Sequence, residues 1–245
     1  MALSHSGRAA VILLATVIGV ALTANLGAWQ LRRAAQKVVV QTALDARAQL
    51  PALSGAELAR GIAQSESQRG RLARLRGRWI PERTVFLDNR PMHARVGFYV
   101  VTPLLIEGSD DAVLVQRGWV PRDLRERTLL PAVPSPSGVI EIQGVIAPPP
   151  ARLYEFAAAA SGLIRQNLDL DSFKAETGLR LTPLSVQQTD SPAAAGDGLL
   201  REWPRPAVDV QKHYGYAFQW FALAALMAGL YVWFQLVRPR LQRSA

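Results

Sequence analysis

The stretch AAVILLATVIGVALTANLGAW, residues 9–29, holds no Asp, Glu, Lys or Arg, and its only polar side chains are Thr16, Thr23 and Asn25. A helix needs about 20 predominantly apolar residues to cross a bilayer, so this run predicts a spanning helix. A second uncharged run, YGYAFQWFALAALMAGLYVWFQLV at 214–237, predicts another. Gln219 and Gln235 are tolerable there near the helix ends or bonded to a neighbouring helix. Trp29, Tyr214, Tyr216, Trp233 and Phe234 lie toward the ends of the two runs, where aromatic belts meet the membrane interface. The expected organisation is a tail at 1–8, a span at 9–29, a domain at 30–213, a second span at 214–237 and a tail at 238–245.

A cleaved leader is the rival reading of the first run, because Arg8 precedes it and Leu22-Thr23-Ala24 weakly resembles a cleavage site. Against it, the run exceeds a leader's usual core and Leu22 is too large two positions before Ala24. Arg8, Arg238, Arg240 and Arg243 favour cytoplasmic tails by the positive-inside rule, but Arg32, Arg33, Lys37, Arg205 and Lys212 flank the same helices on the loop side. A loop this long translocates largely regardless of charge, so charge alone leaves the orientation open.

The formal charge of +9 invites a nucleic-acid reading. Four of the cations stand in the tails, and the remaining excess is spread thinly through the loop without the dense basic cluster that nucleic-acid sites use. The absence of cysteine excludes disulfides, thiolate catalysis and cysteine-based metal sites, and it suits an oxidising compartment.

After the first span, Leu31, Ala34, Ala35, Val38, Val39 and Thr42 keep one helical face apolar, which predicts a helical extension over 31–66 with the peripheral part beginning at a capping box, Ser54 with Glu57, ahead of a helix at 58–64. From Gly70 the period changes to two. Strands are expected at 71–79, 85–87, 97–105, 112–119, 139–146, 162–166 and 180–187, a β-rich region over 70–190 that closes as a barrel or sandwich. Pro131–Pro136 and Pro148–Pro150 are stiff connectors, 169–177 is a short helix stopped by Gly178, and 191–198 is a flexible loop. The fold class is therefore α+β: two membrane helices flanking an extracytoplasmic β-rich domain with short helices.

The chain has only three histidines, His5, His93 and His213, and His5 lies across the predicted membrane from the other two, so no zinc or non-haem iron triad assembles. Ser161-Gly162 lacks a nucleophile elbow. His213 stands at the mouth of the second span, followed by Tyr214, Tyr216, Phe218 and Trp220; an imidazole there either ligates a porphyrin iron under aromatic cover or simply anchors the helix with Lys212 in the headgroups. In the domain, Leu87-Asp-Asn-Arg-Pro91 and Val115-Gln-Arg-Gly-Trp119 stand out. Either Arg117 pairs with Asp88 while Trp119 fills the core, or these residues form a recognition surface.

Read in order, several pieces together resemble the Surfeit locus protein 1 family, the Surf/Shy assembly factors of haem-copper cytochrome c oxidase. They are Gly27-Ala-Trp-Gln30 with Arg32 or Arg33 and Lys37, Asp88-Asn-Arg90, Gly97-Phe-Tyr-Val-Val-Thr-Pro103, Val113-Leu-Val-Gln-Arg-Gly-Trp-Val-Pro121, and His213 through Tyr216 to Gln219-Trp220-Phe221. Their order and their placement between two terminal spans carry the resemblance along nearly the whole chain.

The resemblance implies a non-enzymatic assembly factor of the bacterial inner membrane, with both termini cytoplasmic and the domain periplasmic. It implies haem a binding, with His213 as iron ligand and Tyr216 and Trp220 beside it, and delivery to oxidase subunit I, with haem a synthase as a further candidate partner. Arg90, Arg117 and Trp119 are the candidates for docking or for pairing with the porphyrin propionates. Lys212 stands before His213 where the family often has Asn. A haem-independent scaffold for subunit I, and more distantly an envelope enzyme with a polar pocket near Asp88, Arg90 and Arg117, are the competing readings.

Overall fold

In β1 (Leu72–Trp79) every second residue is buried, which puts Arg74, Arg76 and Arg78 outside and Ala73, Leu75 and Trp79 inside. The period-two pattern of a half-buried strand is thus realised with the charges in solvent. The structure, a computed structural model, describes residues 5–126, 128–150, 153, 162–191, 195–204 and 209–243. Arg205, Ser161 and positions 192–194 of the expected loop lie outside that set. The chain divides into two units, one holding the sequence up to Thr42 and from Arg205 onward, the other Ala43–Pro204.

Among the described residues, the second unit has seven strands: β1, β2 (Val85–Met92), β3 (Arg95–Ile106), β4 (Asp111–Pro121), β5 (Ile140–Ala147), β6 (Ile164–Arg165) and β7 (Arg180–Gln188). Their order is β1-β5-β7-β4-β3-β2-β6, and β1 also pairs with β3, so five strands close into a barrel from which β2 and β6 extend. Closure removes the edges that an open sheet of this kind would expose. The seam depends on β3, which pairs with β2 up to Val101 and with β1 from Leu104. Pro103 stands between; its missing N–H falls at the switch, and its carbonyl accepts from the Ile80 N–H at 3.0 Å. Gly77 sits opposite Ile106, and a Cβ there would stand 2.2 Å from the Leu105 carbonyl oxygen.

β4 is buried on both faces, which is why it reads as a continuous apolar run instead of an alternation. Val113 and Val115 join Leu75, Leu104, Ile142, Ile146 and Leu184 in the main core. Ala112 and Leu114 join a second cluster with Phe173 of helix α3 (Leu170–Thr177). That helix starts at Asp169, whose carboxylate accepts from the Ser172 N–H, and ends at Gly178 in the left-handed conformation, the expected stop.

The capping box closes only a single 3-10 turn, Gly55–Glu57, with the Ser54 N–H donating to Glu57 Oε2 at 2.8 Å. The helix expected at 58–64 is displaced to α2 (Ile62–Gln68), because Leu58 and Ala59 are drawn extended into the barrel core. Gln68 holds them there, accepting from the Ala59 N–H at 2.9 Å and donating to the Glu57 carbonyl at 2.7 Å.

The first unit contains most of α1 (His5–Ala48) and all of α4 (Val210–Tyr231), which continues through a π-helical turn, Val232–Val237, into α5 (Arg238–Arg243). Both helices are long and apolar enough to cross a membrane, with mean hydropathy of 2.2 and 1.7 in their most apolar windows. Gly19 lies against Met227 and Gly27 against the ring of Phe221, while Thr23, Ala34, Ala217 and Ala224 are buried. Small residues at the contact let two backbones approach, the packing mode of helices in lipid.

Gly77→Ala is expected to cost on the order of 1–3 kcal/mol by forcing the barrel seam apart. Gly61→Ala, with nothing within 4 Å of the added Cβ, is expected to stay within about 0.5 kcal/mol. Urea unfolding of the two variants in mild detergent measures the difference.

Candidate functional site

Two constellations carry the residues that the sequence singles out, one in each unit. In the β-domain, a bulge where β3 meets β4 makes Arg117 the extra residue between Gln116 and Gly118. Its guanidinium enters the interior, 4.5 Å from the centre of the Trp79 ring. There it donates to Ser135 Oγ at 2.7 Å, to the Pro134 carbonyl at 2.6 Å and to Asp197 Oδ2 at 3.4 Å. Arg201 reaches the same Asp197 oxygen at 2.5 Å, and the three side chains are only 2%, 1% and 4% exposed. Burial pushes the Arg117 guanidinium below its ordinary range, and the Asp197 charge works against that shift.

Around this carboxylate the chain from Ala195 to Pro204 forms a strap across the barrel. Trp119 and Leu200 exchange backbone hydrogen bonds of 2.7 and 2.9 Å, and Leu199 packs with Phe86, Phe98 and Val100. Gly118 makes the approach possible: its φ is +156°, and a Cβ would meet Leu199 Cβ at 2.7 Å and the Leu200 oxygen at 2.8 Å. Trp203 donates to the Gln188 carbonyl at 2.8 Å and lies 5.3 Å from the Tyr99 ring, and Glu202 meets His93 at 3.0 Å. Trp119 is 1% exposed, with its indole N–H donating to the Arg90 carbonyl at 2.7 Å. Arg90, also buried, donates to the Gln166 carbonyl at 2.8 Å and sits 5.8 Å from the Tyr99 ring centre.

In the helix pair, His213 lies in the first turn of α4, half-buried, with Nδ1 2.7 Å from Gln30 Oε1 of α1. Trp220, seven residues on, is half-buried, whereas Tyr216 and Gln219 are exposed. Gln219 makes no side-chain hydrogen bond among the described residues, so it does not join the two helices. Asp209 precedes the helix and bonds Lys212 at 2.7 Å. The Lys212 ammonium holds the Asp209 carboxyl below the usual carboxylate range, with smaller contributions from Lys37 and His213.

With the two helices, the barrel and these motifs in place, comparison decides the family: the SURF1 family model matches residues 17–225. The chain belongs to the SURF1 family. It is 25% identical over 237 residues to a SURF1-like protein of Drosophila melanogaster, covering 90% of this chain and 76% of that one. A SURF1-like protein of Rickettsia conorii is 26% identical over 213 residues, covering 85% and 84%, and one of Rickettsia bellii is 25% identical over 210 residues, covering 84% and 83%. SURF1 proteins are cytochrome oxidase assembly factors.

Arg90, Arg117 and Trp119 are brought together as buried parts of a clamp, with 4%, 2% and 1% exposure. Asp88 pairs with Arg122 at 3.1 Å, not with Arg117, because the bulge turns Arg117 inward while Arg122 beyond β4 reaches the β2 carboxylate. The loop expected to be flexible at 191–198 contains Asp197, a buried anchor. Two shallow hollows, of about 130 and 200 Å3, lie around Arg60, Asp111 and Thr182, away from Asp88, Arg90 and Arg117. Among the described residues, no three His, Asp or Glu side chains gather as metal ligands.

Sequence reasoning missed Asp197, Arg201 and the partnership of Gln30 with His213. Gly196 and Gly198 around Asp197 signal a turn, but nothing local links it to an arginine 80 residues upstream. Asp197→Ala, which strands two buried guanidinium groups, is expected to cost about 3–5 kcal/mol and to open residues 195–204 to limited proteolysis. Glu202→Gln, at an exposed pair, should change stability by under about 1 kcal/mol. Chemical unfolding of both variants checks the contrast.

Proposed function

We propose that this SURF1 protein binds haem a at the outer edge of a bacterial inner membrane and assists its insertion into subunit I of the oxidase. The observation that carries the reading is the setting of His213: a half-buried imidazole in the first turn of an apolar helix, with an aromatic side chain two turns on and cations beside it. The donor set fits the group. The neutral His213 imidazole would hold haem iron, Tyr216 and Trp220 would supply apolar cover, and Lys212 and Lys37 would pair with the propionates. Haem a supplies the redox iron of the finished oxidase; this chain binds, orients and releases it.

Haem a is too apolar to cross water cheaply, so a carrier holding it against a helix pair in the bilayer passes it sideways without exposing it. A single protein ligand favours release. In this arrangement both spans cross the inner membrane, the tails are cytoplasmic, and the β-domain is periplasmic, where it contacts subunit I or haem a synthase. The positive tails and the family membership support that orientation.

The full chain, purified in mild detergent from cells making haem a, is expected to show a reduced-minus-oxidised haem a spectrum that His213→Ala loses. A His213→Ala variant that keeps full haem a sinks the assignment of the ligand. A colourless wild type that still copurifies subunit I replaces the carrier with a haem-independent scaffold.

A further inference from the structure

The geometry points to Gln30 as a positioning residue that holds the proton of the His213 imidazole on Nδ1 and leaves the Nε2 lone pair as the free ligand position. The contact is short, 2.7 Å between His213 Nδ1 and Gln30 Oε1, and it joins residues 183 positions apart in sequence. A carbonyl oxygen only accepts, so the ring nitrogen facing it must carry the hydrogen. The other neutral tautomer would require the Gln30 amide to turn over so that its Nε2 donates to the bare ring nitrogen, giving up the carbonyl contact seen here. Among the described residues, Nε2 makes no hydrogen bond or ion pair.

The placement of Gln30 makes this contact difficult to escape. Gly19, Thr23, Gly27, Gln30 and Ala34 follow one another at spacings of four, four, three and four, and trace one side of α1. Thr23, Gly27 and Ala34 are buried, and Gly19 and Gly27 touch Met227 and Phe221 of α4. Gln30 is the one long polar side chain in a stripe of small residues, at the end where α4 begins. Close packing along the stripe fixes the distance that the amide must span to reach the ring.

An amide acceptor has a further chemical consequence. A carboxylate at this position would draw the Nδ1 proton and give the ring imidazolate character, strengthening its bond to iron; a neutral amide fixes the tautomer without that gain. The choice of Gln therefore suits a ligand that orients its cargo and lets it go. This second step rests on the haem reading above, whereas the tautomer does not.

The test uses the full chain labelled with [15N]histidine in detergent. Only three histidines contribute signals, and His213→Ala assigns the one of interest. Above the pH at which imidazoles titrate, wild-type His213 is expected to be predominantly Nδ1-protonated; Gln30→Leu should shift it to a mixture dominated by Nε2–H, and Gln30→Glu should restore Nδ1–H. A wild-type ring protonated mainly on Nε2, or a Gln30→Leu ring unchanged from wild type, overturns the inference whether or not haem binds. In chains that carry haem a, Gln30→Leu should weaken its retention about tenfold or more, and Gln30→Glu should tighten it and lower the midpoint potential. Haem retained through His213 with an unchanged tautomer in Gln30→Leu leaves the carrier reading standing and removes Gln30 from it. A colourless wild type with the expected tautomers does the reverse.

Discussion

A carboxylate enclosed by two guanidinium groups is the constraint on which the β-domain turns. Arg117, Asp197 and Arg201 carry a net positive charge into the interior, and an ionised group there is tolerable only with its partners in place. The bulge that sends Arg117 inward therefore requires the strap that brings Asp197. Once the strap lies across β4, Gly118 must lack a side chain and Trp119 must be covered. The conspicuous Gln-Arg-Gly-Trp run is the imprint of that one arrangement on the sequence.

The barrel beneath is organised by the same economy of polar groups. β3 meets β2 along one part and β1 along another, and it places a proline where it changes partner. Outside, the arginines of β1 are partly matched by acids on neighbouring elements, Arg74 with Glu141 at 3.5 Å and Arg76 with Glu107 at 3.3 Å. Such exposed pairs contribute little to stability. The fold rests instead on the main core, which takes in Leu53, Leu58 and Ala59 from outside the strands.

In the helix pair, apolar burial cannot drive association if the surrounding solvent is lipid, so close packing and hydrogen bonds must do so. The stripe of small residues on α1 supplies the first and Gln30 the second. In the β-domain, Arg90, Arg117 and Trp119 are buried and hydrogen-bonded parts of the architecture. At the start of α4, the His213 imidazole meets Gln30 of α1.

The sequence by itself determined the two apolar helices, five of the seven strands among the described residues in near-correct extent, the start of β2, α3 with its glycine stop, and the SURF1 family. Each depends on periodicity, length or local turn chemistry, which act between near neighbours. β6 shrank to Ile164–Arg165, and the capping box yielded only a turn, because the barrel core claimed Leu58 and Ala59 more strongly than helix propensity held them. Only the tertiary structure decided that the strands close through β1 and β3, that Arg117 belongs to Asp197 and not to Asp88, and that Gln30 faces His213. Those pairings join residues far apart along the chain, and an ion pair or hydrogen bond leaves no periodic trace by which sequence could match its two halves.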